Sequence, residues 1–241
     1  MTTPIRLLIH GASGRMGRAV LRLAAEDPRF VVAAAVSGQG VPLAEAGDAP
    51  VLAAAMIEDV EDFDLALDFS LPPAFGRLCA LCARRGAMLV SGTTGLDAAQ
   101  FAALDALATR VAVLWAANFS LGVAVMADLA RRAAQALAAW DIDLVESHHV
   151  HKRDAPSGTA LALGQAVAQG AGREPRYASL RAGDIVGEHL LQFSGAGERL
   201  ELVHRAGHRD IFARGALECA ARLAGRGPGR HAIADLLFAD G

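Results

Sequence analysis

The sequence predicts an α/β protein built on a doubly wound parallel sheet, and three observations carry that prediction. A glycine-rich turn follows a short apolar strand and opens an amphipathic helix. Strand and helix patterns then alternate through about the first half of the chain, as parallel strands joined by crossover helices do. The strand ends carry glycine, serine, threonine and asparagine, and ligands of such sheets lie off those ends.

Bulk properties narrow the function classes. The 241 residues suffice for one large or two modest domains, and 53% hydrophobic with 20% charged residues is an ordinary globular balance. A net charge of -3 gives a nucleic-acid role no electrostatic support. Three cysteines, an odd number, argue for a reducing compartment and against a disulfide framework. Asp105 and Arg110 interrupt the most apolar stretch, Phe101 to Phe119, so no membrane span is expected. Met1-Thr2-Thr3-Pro4-Ile5-Arg6 lacks the order of a signal peptide. The expectation is a cytoplasmic protein whose partners are neither nucleic acid nor membrane.

Arg6-Leu7-Leu8-Ile9-His10 reads as the first, buried strand. Gly11-Ala12-Ser13-Gly14-Arg15-Met16-Gly17 follows, opening a helix with Met16, Val20 and Leu23 on one face and Arg15, Arg18 and Arg22 on the other. Glycines there permit a tight turn, approach of backbone to a pyrophosphate, and close packing of helix on strand. A purely structural turn is the alternative, but the strand before and the helix after favour a dinucleotide. After a second strand, Phe30 to Val36, Ser37-Gly38-Gln39 stand where an acid would grip the ribose hydroxyls of NAD. The first acid is Glu45, and no arginine follows the strand. That absence removes a penalty against a 2′-phosphate, and Arg15 or Arg18 can supply charge. The cofactor expectation is NADPH or NADH, leaning to NADPH.

The alternation continues with a strand from Leu65 to Ser70, a helix from Ala74 to Arg85 and a strand from Met88 to Ser91, closed by Gly92-Thr93-Thr94-Gly95. Asp97 and Gln100 form a capping-box pattern. A strand from Val111 to Trp115 ends at Ala116-Ala117-Asn118-Phe119-Ser120. The segments Gly11 to Gly17, Ser37, Phe69-Ser70, Gly92 to Gly95 and Asn118 therefore converge on one crevice. Cys79 and Cys82 form a C-x-x-C pair inside a helix, past its start, where the dipole lowers a thiol pKa least. They read as small core hydrophobes.

In the second half, Leu121 to Ala139 is a long alanine-rich helix and Asp141 to His148 a strand. Alternation puts Ile142, Leu144, Glu146 and His148 on one face and His149 on the other. Glu146 can hold the tautomer of His148 or raise its pKa. Lys152, Arg153, Asp154 and Pro156 make a loop, and Ser157-Gly158-Thr159 opens a helix. Three readings of this loop compete. A metal site from His148, His149 and His151 lacks a thiolate or an evident carboxylate ligand, so no metal is expected. A solvated polar loop leaves unexplained the cluster of donors beside an anion-binding turn. The third reading is an acid catalyst with a cationic clamp. Ser157, Gly158 and Thr159 would present backbone N–H groups to a carboxylate, Lys152 and His149 would add charge, and His148 or Lys152 would deliver a proton. His189 to Phe193 and Arg199 to Arg205 pair as a hairpin across Gly195-Ala196-Gly197-Glu198, leaving a sheet edge or face for subunit contact. Asp210 to Leu223 is a final amphipathic helix.

The glycine turn at 11–17, Gly92-Thr93-Thr94-Gly95, Ala117-Asn118-Phe119-Ser120, the run His148-His149-Val150-His151-Lys152-Arg153-Asp154-Ala155-Pro156-Ser157-Gly158-Thr159-Ala160 and Ala182-Gly183-Asp184-Ile185-Val186-Gly187-Glu188-His189 occur in the order of one family. Over nearly its whole length the chain resembles the 4-hydroxy-tetrahydrodipicolinate reductases (dihydrodipicolinate reductases) of bacterial lysine and diaminopimelate synthesis. The resemblance implies a Rossmann domain followed by a smaller mixed α+β domain whose sheet builds a homotetramer. Residues 1–118 and 209–241 would bind the dinucleotide, and residues 119–208 the substrate and the other subunits. It further implies His148 as proton donor or acceptor, Lys152 as second donor, and His149, Gly158 and Thr159 as substrate residues. Gly11 to Met16, Gly92 to Thr94 and Ala116 to Phe119 match its cofactor contacts. The implied reaction is NAD(P)H-dependent reduction of 4-hydroxy-tetrahydrodipicolinate, a small cyclic dicarboxylate, with domain closure expected near 118–120 and 207–209.

Two departures stand out. Ser37-Gly38 replaces an acidic residue followed by arginine, and the segment between Gly172 and Ala182 is shortened. Two rival readings remain. Another NAD(P)-dependent dehydrogenase of a small carboxylate would need a nucleophilic cysteine or a different acid, and Cys219 lies in the final helix. A non-catalytic nucleotide sensor has no need of the His-His-x-His-Lys loop.

Overall fold

The chain divides into two compact units, Met1–Phe119 with Phe212–Gly241 and Ser120–Ile211. The computed structural model describes residues 3–238. Met1-Thr2 and residues 239–241, which close the expected 1–118 and 209–241 segments, lie outside the described residues.

The first unit contains β1 (Ile5–His10), α1 (Arg15–Ala25), β2 (Phe30–Ser37), β3 (Val51–Ala53), β4 (Leu65–Asp68), α2 (Pro72–Arg85), β5 (Met88–Ser91), α3 (Ala98–Ala108) and β6 (Ala112–Trp115). The second comprises α4 (Leu121–Ala136), β7 (Asp141–His148), α5 (Gly158–Ala171), β8 (Arg176–Arg181), β9 (Glu188–Ser194) and β10 (Arg199–Arg205). The chain then crosses back through α6 (Asp210–Leu223) to β11 (Gly229–His231) and α7 (Ile233–Leu237).

Seven strands of the first unit lie in the order β3-β2-β1-β4-β5-β6-β11, and every neighbouring pair is parallel. This is the Rossmann-type, doubly wound sheet that the alternation predicted. Its strand order reverses between β1 and β4, where ligands of such sheets bind. Leu8, Val36, Ala66, Leu89 and Val113 from five strands pack with Phe75 and Leu78 of α2 and with Leu104 and Leu107 of α3. The strands read as continuous apolar runs because helices cover both faces. Cys79 and Cys82 belong to the same core, and burial pushes the Cys79 thiol up to about 12. They behave as hydrophobes.

The second unit is a mixed α+β layer pair. Its four strands run β10-β9-β7-β8, with β8 parallel to β7 and the other pairs antiparallel. Met126, Ala130 and Ala134 of α4 and Leu163 and Val167 of α5 cover one face, against Ile142, Leu144, Leu191 and Phe193. The expected alternation in β7 holds: Ile142, Leu144, Glu146 and His148 are all buried. Among the described residues, no helix is long and apolar enough to cross a membrane.

Boundaries differ from the sequence reading for physical reasons. Helix α2 begins at Pro72 rather than Ala74 because proline fits a helix's first turn, where its missing N–H would have no partner. Helix α4 ends at Ala136 rather than Ala139, where Leu137 leaves helical geometry (φ -114°, ψ 32°). Strands β3, β8 and β11 were not foreseen, and all three lie at sheet edges; nor was the one-turn helix α7, so Asp210–Leu223 is not the final helix. An edge strand is held by backbone pairing on one side and needs no apolar stripe.

Candidate active site

In the first unit the site grows from the β1–α1 turn. Helix α1 has neither a capping side chain nor an acid in its first turn, so its leading N–H groups are open to an anion. Gly11 has φ +79°, and a Cβ there would lie 2.5 Å from the Phe69 carbonyl oxygen. A Cβ at Gly17 would lie 2.3 Å from the Gly11 carbonyl oxygen, so only glycine lets the helix sit this close to the turn. A cavity of about 540 Å³ lies over these residues, lined among others by Gly11, Ser13, Gly14, Ser37, Gly38 and Phe69. Its open N–H groups, small side chains and lack of a lining carboxylate fit the phosphate and ribose portions of a dinucleotide.

Beneath the cavity, the fully buried Asp68 carboxylate joins three strand ends. It accepts hydrogen bonds from His10 Nδ1 at 2.8 Å, Ser91 Oγ at 2.7 Å, Thr93 Oγ1 at 2.8 Å and the Ser70 N–H at 3.1 Å. Burial pushes its pKa up, but His10 and the hydroxyl and amide donors outweigh burial and hold it below the usual carboxylate value. The Thr93 side chain is thus engaged within the protein. Gly92 lies against the rings of Phe69 and Phe119, which meet edge to face at 5.6 Å. A Cβ on Gly92 would lie 2.3 Å from the Phe69 ring. Three candidate cofactor residues, Phe69, Gly92 and Phe119, therefore stand together.

At the end of β2, Ser37 is buried and its Oγ accepts the Gly40 N–H at 3.1 Å. Glu45, the first acid after the strand, is gripped by Arg18 Nη1 at 3.0 and 2.9 Å. Arg15 is exposed.

In the second unit, β7 carries Glu146 and His148 into the buried face, 1% and 8% exposed. Glu146 accepts from Arg181 Nη1 at 3.0 Å and Nη2 at 2.8 Å, and its Oε2 accepts from His148 Nδ1. Burial raises the Glu146 pKa, yet Arg181, Ser179 and His148 together bring it down to about 2. An ionised carboxylate only accepts, so His148 Nδ1 is the donor and Nε2 is the ring atom left to exchange a proton. The net pKa of His148 lies below its ordinary value. Burial outweighs the pull of Glu146, and Lys152 and Arg181 push the same way as burial. Glu146 does hold the tautomer, but the net direction is down rather than up.

The rest of the loop packs around this pair. Ser157 caps α5, its Oγ accepting the Ala160 N–H at 3.1 Å, with Gly158 and Thr159 in the helix's first turn. Lys152 Nζ lies 2.9 Å from Asp154 Oδ2, whose side chain is 58% exposed. His149 turns to Arg209, with Nε2 and Nη2 3.3 Å apart. Its buried Nδ1 has no hydrogen-bond partner among the described residues.

Sequence reasoning missed Arg181, the role of His189, and His204. The His148 ring meets the His189 ring edge to face at 5.4 Å, and the His204 ring lies 6.1 Å from that of His189. His189 Nε2 is 3.5 Å from Ser157 Oγ, and His204 Nε2 is 3.2 Å from Ser120 Oγ. Burial, then His148 and His204, push the pKa of His189 down to about 4. Strand register creates this row: Glu146 pairs with His189, and His189 with His204. Its one sequence signal was parity, since His189 shares the inward face with Leu191 and Phe193.

Residues 5–119 match the family description "Dihydrodipicolinate reductase, N-terminus", and residues 122–237 match "Dihydrodipicolinate reductase, C-terminus". The chain belongs to the dihydrodipicolinate reductase family. The 4-hydroxy-tetrahydrodipicolinate reductase of Stenotrophomonas maltophilia (strain K279a) is 61% identical over 236 residues, covering 98% of each chain. That of Xylella fastidiosa (strain 9a5c) is 58% identical over 238 residues, covering 99% of this chain and 100% of the relative. A solved dipicolinate-bound dihydrodipicolinate reductase from Paenisporosarcina sp. TG-14 shares the fold with a TM-score of 0.81 at 22% identity, covering 95% of this chain and 98% of that one. A C. glutamicum DAP dehydrogenase in complex with DAP shares it more loosely, with a TM-score of 0.63 at 14% identity, covering 100% and 97%. Membership of the dihydrodipicolinate reductase family accounts for the pairing of a Rossmann-type unit with a mixed α+β unit in one chain.

Proposed function

We propose that the chain is a 4-hydroxy-tetrahydrodipicolinate reductase acting in diaminopimelate and lysine synthesis. The reaction takes 4-hydroxy-tetrahydrodipicolinate, NAD(P)H and a proton to tetrahydrodipicolinate, NAD(P)⁺ and water. The observation that carries this reading is the Glu146–His148 pair beside the Ser157-capped start of α5.

Gly11, Ser13, Gly14, Ser37, Gly38 and Phe69 would hold the nicotinamide cofactor, which when bound would supply the hydride. Every other role belongs to side chains and backbone of the second unit. The start of α5 at Gly158 and Thr159 seats one substrate carboxylate in place of the Asp154 carboxylate that the Gly158 N–H now holds. Lys152 adds positive charge, and His149, which accepts from Arg209 through Nε2, adds a ring contact. His148, anchored through Nδ1, delivers a proton from Nε2 to the enamine that hydride addition leaves, with Lys152 as the second donor. Burial weakens the hold of His148 on its proton, which favours donation, and Glu146 offsets part of that loss so that a protonated fraction persists. Such acid help contributes about 10²–10⁴-fold, and positioning of the reactants on the order of 7–11 kcal/mol.

Two finer readings accompany this one. NADPH is preferred and NADH tolerated, because Glu45 is engaged by Arg18 and the exposed Arg15 adds positive charge at the start of α1. A homotetramer is supported by an apolar row across the uncovered face of the second sheet, where Val203, Leu190, Val145 and Ala178 are successive cross-strand neighbours. Light scattering should give four times the 25.0 kDa chain mass; a monomer would refute the assembly alone.

The direct test supplies the aldol product of the pathway, made in situ, and follows NAD(P)H absorbance. No oxidation above background by folded protein sinks the reading. Higher kcat/KM with NADH than with NADPH would overturn the cofactor preference. His148→Gln and Lys152→Met, made separately, should lose turnover with NADPH affinity intact; wild-type turnover in both removes them from the chemistry.

A further inference from the structure

The segment Ala182–His189 has no part in the mechanism above, yet it passes directly over His148. Ala182 N–H donates to the His148 carbonyl at 2.9 Å, Val150 N–H to the Gly183 carbonyl at 3.2 Å, and Ala206 N–H to the Gly187 carbonyl at 2.9 Å. These bonds pin the segment at both ends. Gly187 is buried between them, and a Cβ on it would lie 3.1 Å from His148 Nε2 and 3.4 Å from Cδ2. Its φ is not positive, so the backbone conformation does not demand glycine. The space does. Nor can the ring swing aside, because Nδ1 is tied to Glu146, Glu146 is tied to Arg181, and the His189 ring stands against it at 5.4 Å.

We propose that Gly187 and His189 are positioning residues for His148: His189 braces the imidazole, and the missing side chain at 187 keeps Nε2 open to the substrate. This rests on the reading of His148 as the acid. The charged and titratable groups around that ring are Glu146, Lys152, Arg181 and His189, and none of them lies across Nε2 as a methyl at 187 would.

The test compares Gly187→Ala, His189→Ala, His189→Phe and His148→Gln by kcat, KM, NADPH affinity and the ¹⁵N signals of the His148 ring with and without dipicolinate. Gly187→Ala should lower kcat at least tenfold with NADPH Kd within twofold, and its His148 Nε2 signal should no longer respond to dipicolinate. His189→Ala should lower kcat at least tenfold, with His189→Phe, which keeps a ring in place, at least fivefold more active than His189→Ala. A folded Gly187→Ala enzyme with wild-type kcat and a wild-type Nε2 response overturns the access role. Equal activity of the two His189 variants overturns the brace. If Gly187→Ala does not fold, the wild-type signal decides, since an Nε2 unmoved by dipicolinate refutes access. His148→Gln at wild-type turnover would instead overturn the reading on which this inference rests.

Discussion

Glu146→Gln isolates what the buried carboxylate does for His148, the proposed acid. The substitution keeps the shape and an acceptor but removes the charge that faces His148 and Arg181. A hydrogen bond to a charged group contributes about 1.5–3 kcal/mol. Its loss lowers the protonated fraction of His148, above the pKa of that group, by about one to two powers of ten. At pH 8, kcat should therefore fall about 10–100-fold and recover on acidification, because the alkaline limb moves to lower pH. The same change removes a source of stability. The fall of the Glu146 pKa from 4.5 to about 2 corresponds to about 3 kcal/mol. That contribution is fully present above pH 4.5 and is lost as pH falls toward 2, because the unfolded chain binds the proton first. The variant should be less stable at neutral pH and lack this acid-dependent decline. The assay is kcat against pH with substrate made in situ, alongside thermal unfolding across pH 2–7. A pH profile merely scaled down, with its alkaline limb unmoved, would refute the reasoning and assign the proton to Lys152.

Three further outcomes follow from the geometry. Ser157→Ala removes the α5 cap, so it should cost about 1 kcal/mol of stability and raise KM more than it lowers kcat; an unchanged KM would detach Ser157 from the carboxylate seat. His189, depressed to about 4, loses stability as pH falls from 6.5 toward 4, because the unfolded chain protonates first. His189→Phe should flatten the decline of Tm over that window without abolishing it, since His148 and His204 are depressed too; an identical slope would be the contrary result. Gly17→Ala should raise the NADPH Kd at least tenfold, because its Cβ would meet the Gly11 carbonyl oxygen at 2.3 Å; calorimetry showing wild-type affinity would contradict that.

The first unit was legible because its central strands are continuous apolar runs punctuated by glycine and because the helix-start signals at Gly14 and Asp97 were local. The Asp97–Gln100 capping box formed in both directions. What escaped notice lay in register. Edge strands β8 and β11 carry little apolar pattern, and β3, Val51–Ala53, is apolar but only three residues long. Arg181 reaches Glu146 only because β8 runs parallel beside β7, with Arg181 opposite His148. His189 and His204 join Glu146 only through two antiparallel pairings. Period-2 reading placed Glu146 and His148 on one face. The sign of the His148 pKa shift escaped it because the groups that crowd the ring, Gly187 and His189, lie far along the chain from β7.

Asp68 draws donors from β1, the β4 end and the β5 end onto one carboxylate. The floor of the nucleotide crevice is therefore stiff before any ligand arrives. A carrier that must enter and leave in every catalytic cycle then meets a surface already ordered, and binding energy is not consumed in arranging three separate loops. The same stiffness makes failure collective. One neutral substitution at Asp68 would strand an imidazole N–H, two hydroxyls and an amide together, and three strand ends would loosen as a single event.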